Sequence, residues 1–180
     1  MKKIILTMFA ASSLLLYSTP SFAVLNFSVG VPLSHTFTGK WSEGTAIESE
    51  GVSGYFIQIG VPMLPGLGMD SYETKTKCED CDKEQKISTT MYNLYYLLPI
   101  PIVNLTIGVG TGKTEYSYGG VAIDDGAATQ WYTSFGMPII PLFDLHLSYR
   151  SVSSKIKNKS GSMEHDVSGN VMGLGIGFNF

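Results

Sequence analysis

The sequence predicts an all-β chain that closes into an eight-stranded antiparallel up-and-down transmembrane β-barrel. Three observations carry that prediction. Apolar residues recur at every second position in seven separate segments, the period of a strand with one apolar face. The connections between segments are either short and proline-bearing or long and polar, as in a barrel whose two rims face different compartments. The chain also begins with an export segment, so the β-rich remainder works outside the cytoplasm.

The export segment is residues 1–23. Lys2 and Lys3 supply the charged start, IILTMFAASSLLLY an apolar run and STPSFA a small-residue site, with cleavage expected after Ala23. A membrane-anchoring helix would need about 20 apolar residues, and this run is shorter and closely followed by Pro20. Residues 24–180 are then the barrel. Of 12 Lys+Arg side chains two leave with the export segment, so 10 bases face 15 acids, a balance of −5. That scattered acidic balance excludes a nucleic-acid footprint. Only 15% of residues are charged, against about 25% in an ordinary soluble domain. Two cysteines and three histidines, far apart at 35, 146 and 165, predict neither a metal centre nor a cofactor.

The strands follow in order. Leu25, Phe27, Val29, Val31 and Leu33 share one face, with Asn26, Ser28 and Gly30 between them. The pattern returns at Tyr55, Ile57, Ile59, Val61 and Met63. It recurs at Tyr92, Leu94, Tyr96 and Leu98, and at Val103, Leu105, Ile107 and Val109. Trp131, Phe135 and Met137 share a face, as do Phe143, Leu145, Leu147 and Tyr149, and finally Leu174, Ile176, Phe178 and Phe180. An eighth strand is inferred between Gly66 and about Lys77, where Leu67 and Met69 hold the apolar face, because an exported barrel needs an even number. Prolines mark the turns VPMLPG, LPIPI and MPIIP, since proline lacks a ladder donor and fixes φ. The long loops are TGKWSEGTAIESEG, KCEDCDKEQK, TEYSYGGVAIDDGAA and SSKIKNKSGSMEHD. A secreted lipocalin-like barrel also alternates, but its apolar face points inward and does not need an outer aromatic band.

Tyr55, Tyr92, Trp131 and Tyr149 fall at the loop ends of their strands and Phe143, Phe178 and Phe180 at the turn ends, the two girdles of a lipid-facing wall. With its alternating last strand GLGIGFNF, the chain resembles the small eight-stranded outer-membrane barrels of Gram-negative bacteria, the broad OmpA-like and OmpX-like group. The resemblance implies a monomer in the outer membrane, in contact with its lipid and lipopolysaccharide. It also implies that Phe178 and Phe180 serve as the signal read by the barrel assembly machinery. No OmpA-type periplasmic domain is expected after Phe180.

The remaining parity faces inward and is polar: Asn26, Ser28, Gln58, Asn93, Asn104, Thr106, Gln130, Ser134, Asp144, His146, Ser148, Arg150 and glycines 173, 175 and 177. An eight-stranded barrel has room only for side chains. Asp144, His146 and Arg150 are therefore expected in a charge-balanced interior network, with an acidic or carbonyl partner for Arg150 from an adjacent strand. His146-Leu147-Ser148 is similar to the His-x-Ser pair of the lipid A deacylase PagL, which would make Ser148 a nucleophile and Glu164 the orienting acid. Against that stands the inward parity, since PagL works on a lipid substrate. Cys78 and Cys81, within one exported loop, are expected to form a disulfide. Their acidic neighbours Glu79, Asp80, Asp82 and Glu84 are offset by Lys77, Lys83 and Lys86, which weakens any cation site. GVGTGKT lacks the first glycine and the helix of a phosphate loop. Lys155, Lys157 and Lys159 alternate in the fourth loop, placed to meet lipopolysaccharide phosphates. The function expected is non-enzymatic, an interaction or envelope-integrity role of the surface loops. A narrow pore for small or apolar solutes and a PagL-like deacylase are the alternatives.

Overall fold

The computed structural model describes residues 25–61, 63–78, 81–100, 103–140, 142–158 and 164–179. The export segment, Lys159 and Phe180 lie outside them. Among the described residues nine strands run in order: β1 (Asn26–Phe37), β2 (Ser49–Gly60), β3 (Gly66–Thr76), β4 (Gln85–Pro99), β5 (Asn104–Tyr118), β6 (Val121–Ile140), β7 (Phe143–Asn158), β8 (Glu164–Asp166) and β9 (Gly169–Asn179). Each neighbour in sequence pairs antiparallel from β1 to β7, and β9 pairs with both β1 and β7, which closes the ring. The three-residue β8 extends the same β7 edge beyond β9, so β8 and β9 make one interrupted eighth strand. The inferred strand at Gly66 is present as β3, in full register with β2 and β4.

The outer wall explains why these residues form these strands. Val29, Ile57, Leu94, Ile107, Phe135, Leu147 and Ile176 are all exposed on it, and the alternate residues Phe56, Asn93, Thr106, Ser134, Ser148 and Gly177 are buried. A soluble barrel would reverse that arrangement. Trp131 and Tyr149 meet at 5.7 Å in the girdle nearer the loops, and Phe178 packs against Phe143 at 5.0 Å near the turns. Pro32 ends the regular ladder between β1 and β9, where Leu33 is skipped and pairing resumes at Ser34; a proline has no N–H for that ladder.

The strands extend further than the polar loops suggested. TEYSYGGVAIDDGAA is ladder rather than loop: β5 and β6 run through it and turn at Gly119–Gly120, where φ is 59° and 82°. Two successive positive φ values define the two-residue hairpin turn that glycine accommodates. β4 begins at Gln85 and β7 continues to Asn158, so Lys155 and Lys157 stand on a strand. Above the girdle the barrel therefore continues as a water-facing extension. Its interior holds Ile47, Ile87, Ile156 and Val167 with Phe37, Trp41 and Tyr116 against them. The first loop closes over this layer. Thr38 and Gly39 donate to the Ser168 carbonyl at 2.8 and 3.1 Å, Asp166 donates to Lys40 O at 3.1 Å, and Ser42 donates to His165 Nδ1 at 3.0 Å.

Candidate functional site

Residues of the two halves of the chain meet in the lumen at the level of the loop-side girdle. Arg150 follows Tyr149 on β7 and Asp70 follows Met69 on β3, so both turn inward. Arg150 Nε donates to Asp70 Oδ2 at 3.0 Å and Nη2 to Oδ1 at 3.4 Å. The two side chains are 2% and 0% exposed, which is tolerable in a low-dielectric interior only because each charge answers the other. Gln130 Nε2 adds a 2.7 Å bond to Asp70 and a 2.6 Å bond to Asn93 Oδ1. The guanidinium carbon lies 3.4 Å from the centre of the Phe56 ring and 5.2 Å from that of Tyr132, so the cation lies within reach of two aromatic faces. Tyr132 Oη accepts from Gln58 Nε2 at 2.8 Å, and Ser28 Oγ donates to Gln58 Oε1 at 3.1 Å.

The partner of Arg150 thus comes from across the lumen, not from an adjacent strand. In the ring of eight, β3 and β7 stand opposite each other. The reason is what the neighbours carry: the inward positions beside Arg150 on β6 and β9 are Tyr132 and Val171, and neither offers a carboxylate. Asp70, Phe56 and Tyr132 are the residues of this interior network that the sequence reading passed over. The parity of Leu67 and Met69 would have turned Asp70 inward.

Asp144 and His146 lie further toward the turns. Asn104 Nδ2 donates to Asp144 Oδ2, and His146 Nε2 stands 3.9 Å from that same oxygen. His146 Nδ1 is 3.4 Å from Ser134 Oγ. The imidazole fits because Gly136 and Gly177 flank it; a β-carbon at Gly177 would come within 2.3 Å of Nε2. Ser148 turns elsewhere: its Oγ donates to Gly173 O at 3.3 Å and accepts from Arg150 Nη1 at 2.5 Å. His146 and Ser148 therefore do not form the hydrogen-bonded dyad of a serine nucleophile. Beside them is a cavity of about 20 Å³, bordered by Ser28, Gln58, Ser134, His146, Ser148 and Arg150, room for about one water.

Glu164 is remote from this interior. Lys155 Nζ is 3.0 Å from Glu164 Oε1 and Lys157 Nζ 3.3 Å from Oε2, all three on the exposed wall of the extension. Hydrogen bonds from the two lysines hold the Glu164 carboxyl below its ordinary range and raise Lys155 in turn. On the opposite wall Glu84 takes Lys75 at 2.5 Å and Lys86 at 3.2 Å, which lowers its carboxyl likewise. Cys78 and Cys81 are joined by a disulfide in the second loop, and Gln85 Nε2 donates to Cys81 Sγ at 3.0 Å. Among the described residues no group of histidine, cysteine and carboxylate side chains is arranged to hold a metal.

No protein-family model matches the chain, and no curated protein matches it. Solved structures do. The crystal structure of Neisserial surface protein A, NspA, covers 87% of this chain and 96% of its own at 15% identity, with a TM-score of 0.51. The fold is that of a small eight-stranded outer-membrane barrel. Ail, the attachment invasion locus protein of Yersinia pestis, matches at 17% identity over 87% of this chain and 97% of its own, with a TM-score of 0.46. OprG of Pseudomonas aeruginosa matches at 11% over 87% and 95%, with a TM-score of 0.45. The apolar outer wall is that of a barrel set in lipid.

Proposed function

We propose that this barrel is a sealed, non-enzymatic outer-membrane protein that acts through the water-facing extension above its loop-side girdle, in surface interaction or envelope integrity. The observation that carries the reading is the Asp70–Arg150 bridge, which crosses the lumen between opposite strands. The apolar layer of Ile47, Ile87, Ile156 and Val167 stands over it as a second seal, so a pore reading finds little support. Separation of His146 from Ser148 and the outward pairing of Glu164 favour a non-catalytic role. Asp144, His146 and Arg150 act as parts of an interior plug. Lys155, Lys157 and Lys159 meet lipopolysaccharide phosphates, the first two exchanging the carboxylate of Glu164 for them; exposed ion pairs contribute little, so that exchange is easy. The barrel is monomeric, and Phe178 with Phe180 forms its assembly signal. Planar-bilayer recording of the purified barrel tests the reading. No steady conductance above the lipid baseline is expected, and an ohmic channel that Asp70→Ala enlarges would overturn it. Reversing Lys155, Lys157 and Lys159 to glutamate should weaken lipopolysaccharide association in a salt-dependent way; an unaltered salt response would remove the phosphate contacts.

A further inference from the structure

The outer wall is not uniformly filled. Between β4, β5 and β6 it carries an apolar groove of about 460 Å³, lined by Leu94, Tyr96, Ile107, Val109, Trp131 and Thr133, with Pro65 at its turn-side end. Its volume lies within the range of pockets that hold small ligands. The hollow arises because Thr133 is a short residue between the outward Trp131 and Phe135. The Thr133 hydroxyl donates to the Thr106 carbonyl at 3.2 Å, so this residue offers the groove no unsatisfied polar group. The rows above it change character in sequence. Leu94, Val109 and Trp131 pair across the three strands; next comes Tyr92, Thr111 and Thr129, and then Thr90, Lys113 and Ala127. An apolar hollow thus leads upward to the hydroxyls of Tyr92, Thr111 and Thr129, that of Thr111 in a long 3.4 Å bond to the Ala128 carbonyl, and then to one ammonium beside the Thr90 hydroxyl, all on one face. Lys113 is 62% exposed and pairs with its neighbour Glu115 on the same strand, and such an exposed pair contributes little.

We infer that this face is a site for one phosphorylated, acylated lipid of the leaflet level with the loop rim, the groove taking an acyl chain and the Tyr92, Thr111, Thr129 and Lys113 side chains taking the phosphate. The occupant follows from position. A hollow in the lipid-facing wall is filled by hydrocarbon, and a single cation above hydroxyls at the girdle selects a lipid with an anionic phosphate over a zwitterionic one. Glu115 and Asp125 in the following row set the upper limit of the phosphate position by repulsion. The inference rests on the lipid-facing wall and is independent of whether the lumen conducts.

The chain has two tryptophans, and Trp131 lines the groove, so Trp41→Phe leaves a reporter in the site. The barrel is reconstituted in phosphatidylcholine vesicles containing either brominated-chain phosphatidic acid or brominated-chain phosphatidylcholine at equal mole fraction. Trp131 should be quenched as though the phosphatidic acid were enriched about fivefold at the groove, an advantage of about 1 kcal/mol. Lys113→Glu should reduce the enrichment to the phosphatidylcholine level, and Thr133→Phe, which fills the hollow, should reduce quenching by both lipids. Equal quenching by the two lipids in the starting protein, or an enrichment that survives Lys113→Glu, would overturn the site. Mass spectrometry of the unaltered chain, extracted from outer membranes in mild detergent, supplies a second measurement should Trp41→Phe fail to fold. One retained lipid A per barrel that is lost in Lys113→Glu is expected; equal retention in both would count against the inference.

Discussion

Breaking the Asp70–Arg150 bridge from one side should destabilise the barrel far more than replacing both partners together. Arg150→Met leaves a carboxylate that is 0% exposed with the Gln130 amide as its remaining donor at 2.7 Å. It also removes the cation from the Phe56 face, a contact worth about 2 kcal/mol when desolvated. Removing one partner of a buried pair costs about 3–5 kcal/mol, so Arg150→Met belongs at the upper end of that range. Asp70→Leu keeps the guanidinium on Phe56 and on Ser148 Oγ, which places it nearer about 3 kcal/mol. The double replacement Asp70→Leu with Arg150→Met leaves no stranded charge, and apolar residues of similar volume often replace a buried pair without loss. Its cost should fall well below the sum of the two, with a coupling of about 2–3 kcal/mol, as neighbours in one network show. Urea titration of the barrel in lipid vesicles, followed by tryptophan fluorescence and by heat-modified gel mobility, measures all three variants. Single replacements that each cost less than about 1 kcal/mol, or costs that simply add, would refute the claim that the charges are buried and mutually dependent.

Three further outcomes follow from the wall and the rim. Leu145→Arg places a charge on the lipid face and should cost about 2–4 kcal/mol in the same titration, whereas Lys157→Glu, on the exposed wall of the extension, should cost less than about 0.5 kcal/mol; equal tolerance would mean the wall is assigned backwards. Deleting Phe180 should lower the amount of barrel in the outer membrane if the last strand is the assembly signal, and undiminished heat-modifiable protein in that fraction would speak against it. Ile156, 0% exposed inside the extension, should lose about 2–5 kcal/mol of local stability on conversion to alanine. Hydrogen exchange should then rise in residues 150–157 and in their β8–β9 partners while β1–β2 near the turns stays protected; an unchanged rim would show that the apolar layer does not hold it.

The parity of the bilayer segments was legible in the sequence because lipid outside and a filled lumen inside impose opposite demands on alternate residues. The same logic explains why the third long loop and the start of the fourth were expected where the structure has strands. On β7 the apolar positions are Phe143, Leu145, Leu147 and Tyr149, facing out, and then Val152 and Ile156, facing in. On β4 they are Tyr92, Leu94 and Tyr96 outward, but Ile87 and Met91 inward. The strand does not change its facing; the surroundings of its outer face change from hydrocarbon to water at the girdle, so the apolar residues move to the other parity. A period-two reading that follows one phase sees the pattern stop at Tyr149 and reads the polar outward residues Ser153, Lys155 and Lys157 as a loop.

The interior was half legible for a related reason. β7 crosses the bilayer with four apolar residues on its outer face, so Asp144, His146 and Arg150 between them are readily placed inside. β3 carries only Leu67 and Met69 there before Ser71, Glu73 and Lys75 face the water. A strand with so short an apolar face gives little periodicity from which to orient Asp70, although two residues suffice once the strand is accepted. The consequence for specificity runs the other way. β3 and β7 are not neighbours in the sheet, so no backbone ladder sets their relative position directly. Within the lumen, the Asp70–Arg150 bridge connects these opposite walls at one depth. A slip of one residue in β3 would turn Asp70 to the lipid and strand Arg150, so the pair penalises a misregistered closure that the weakly patterned apolar face of β3 would not by itself exclude.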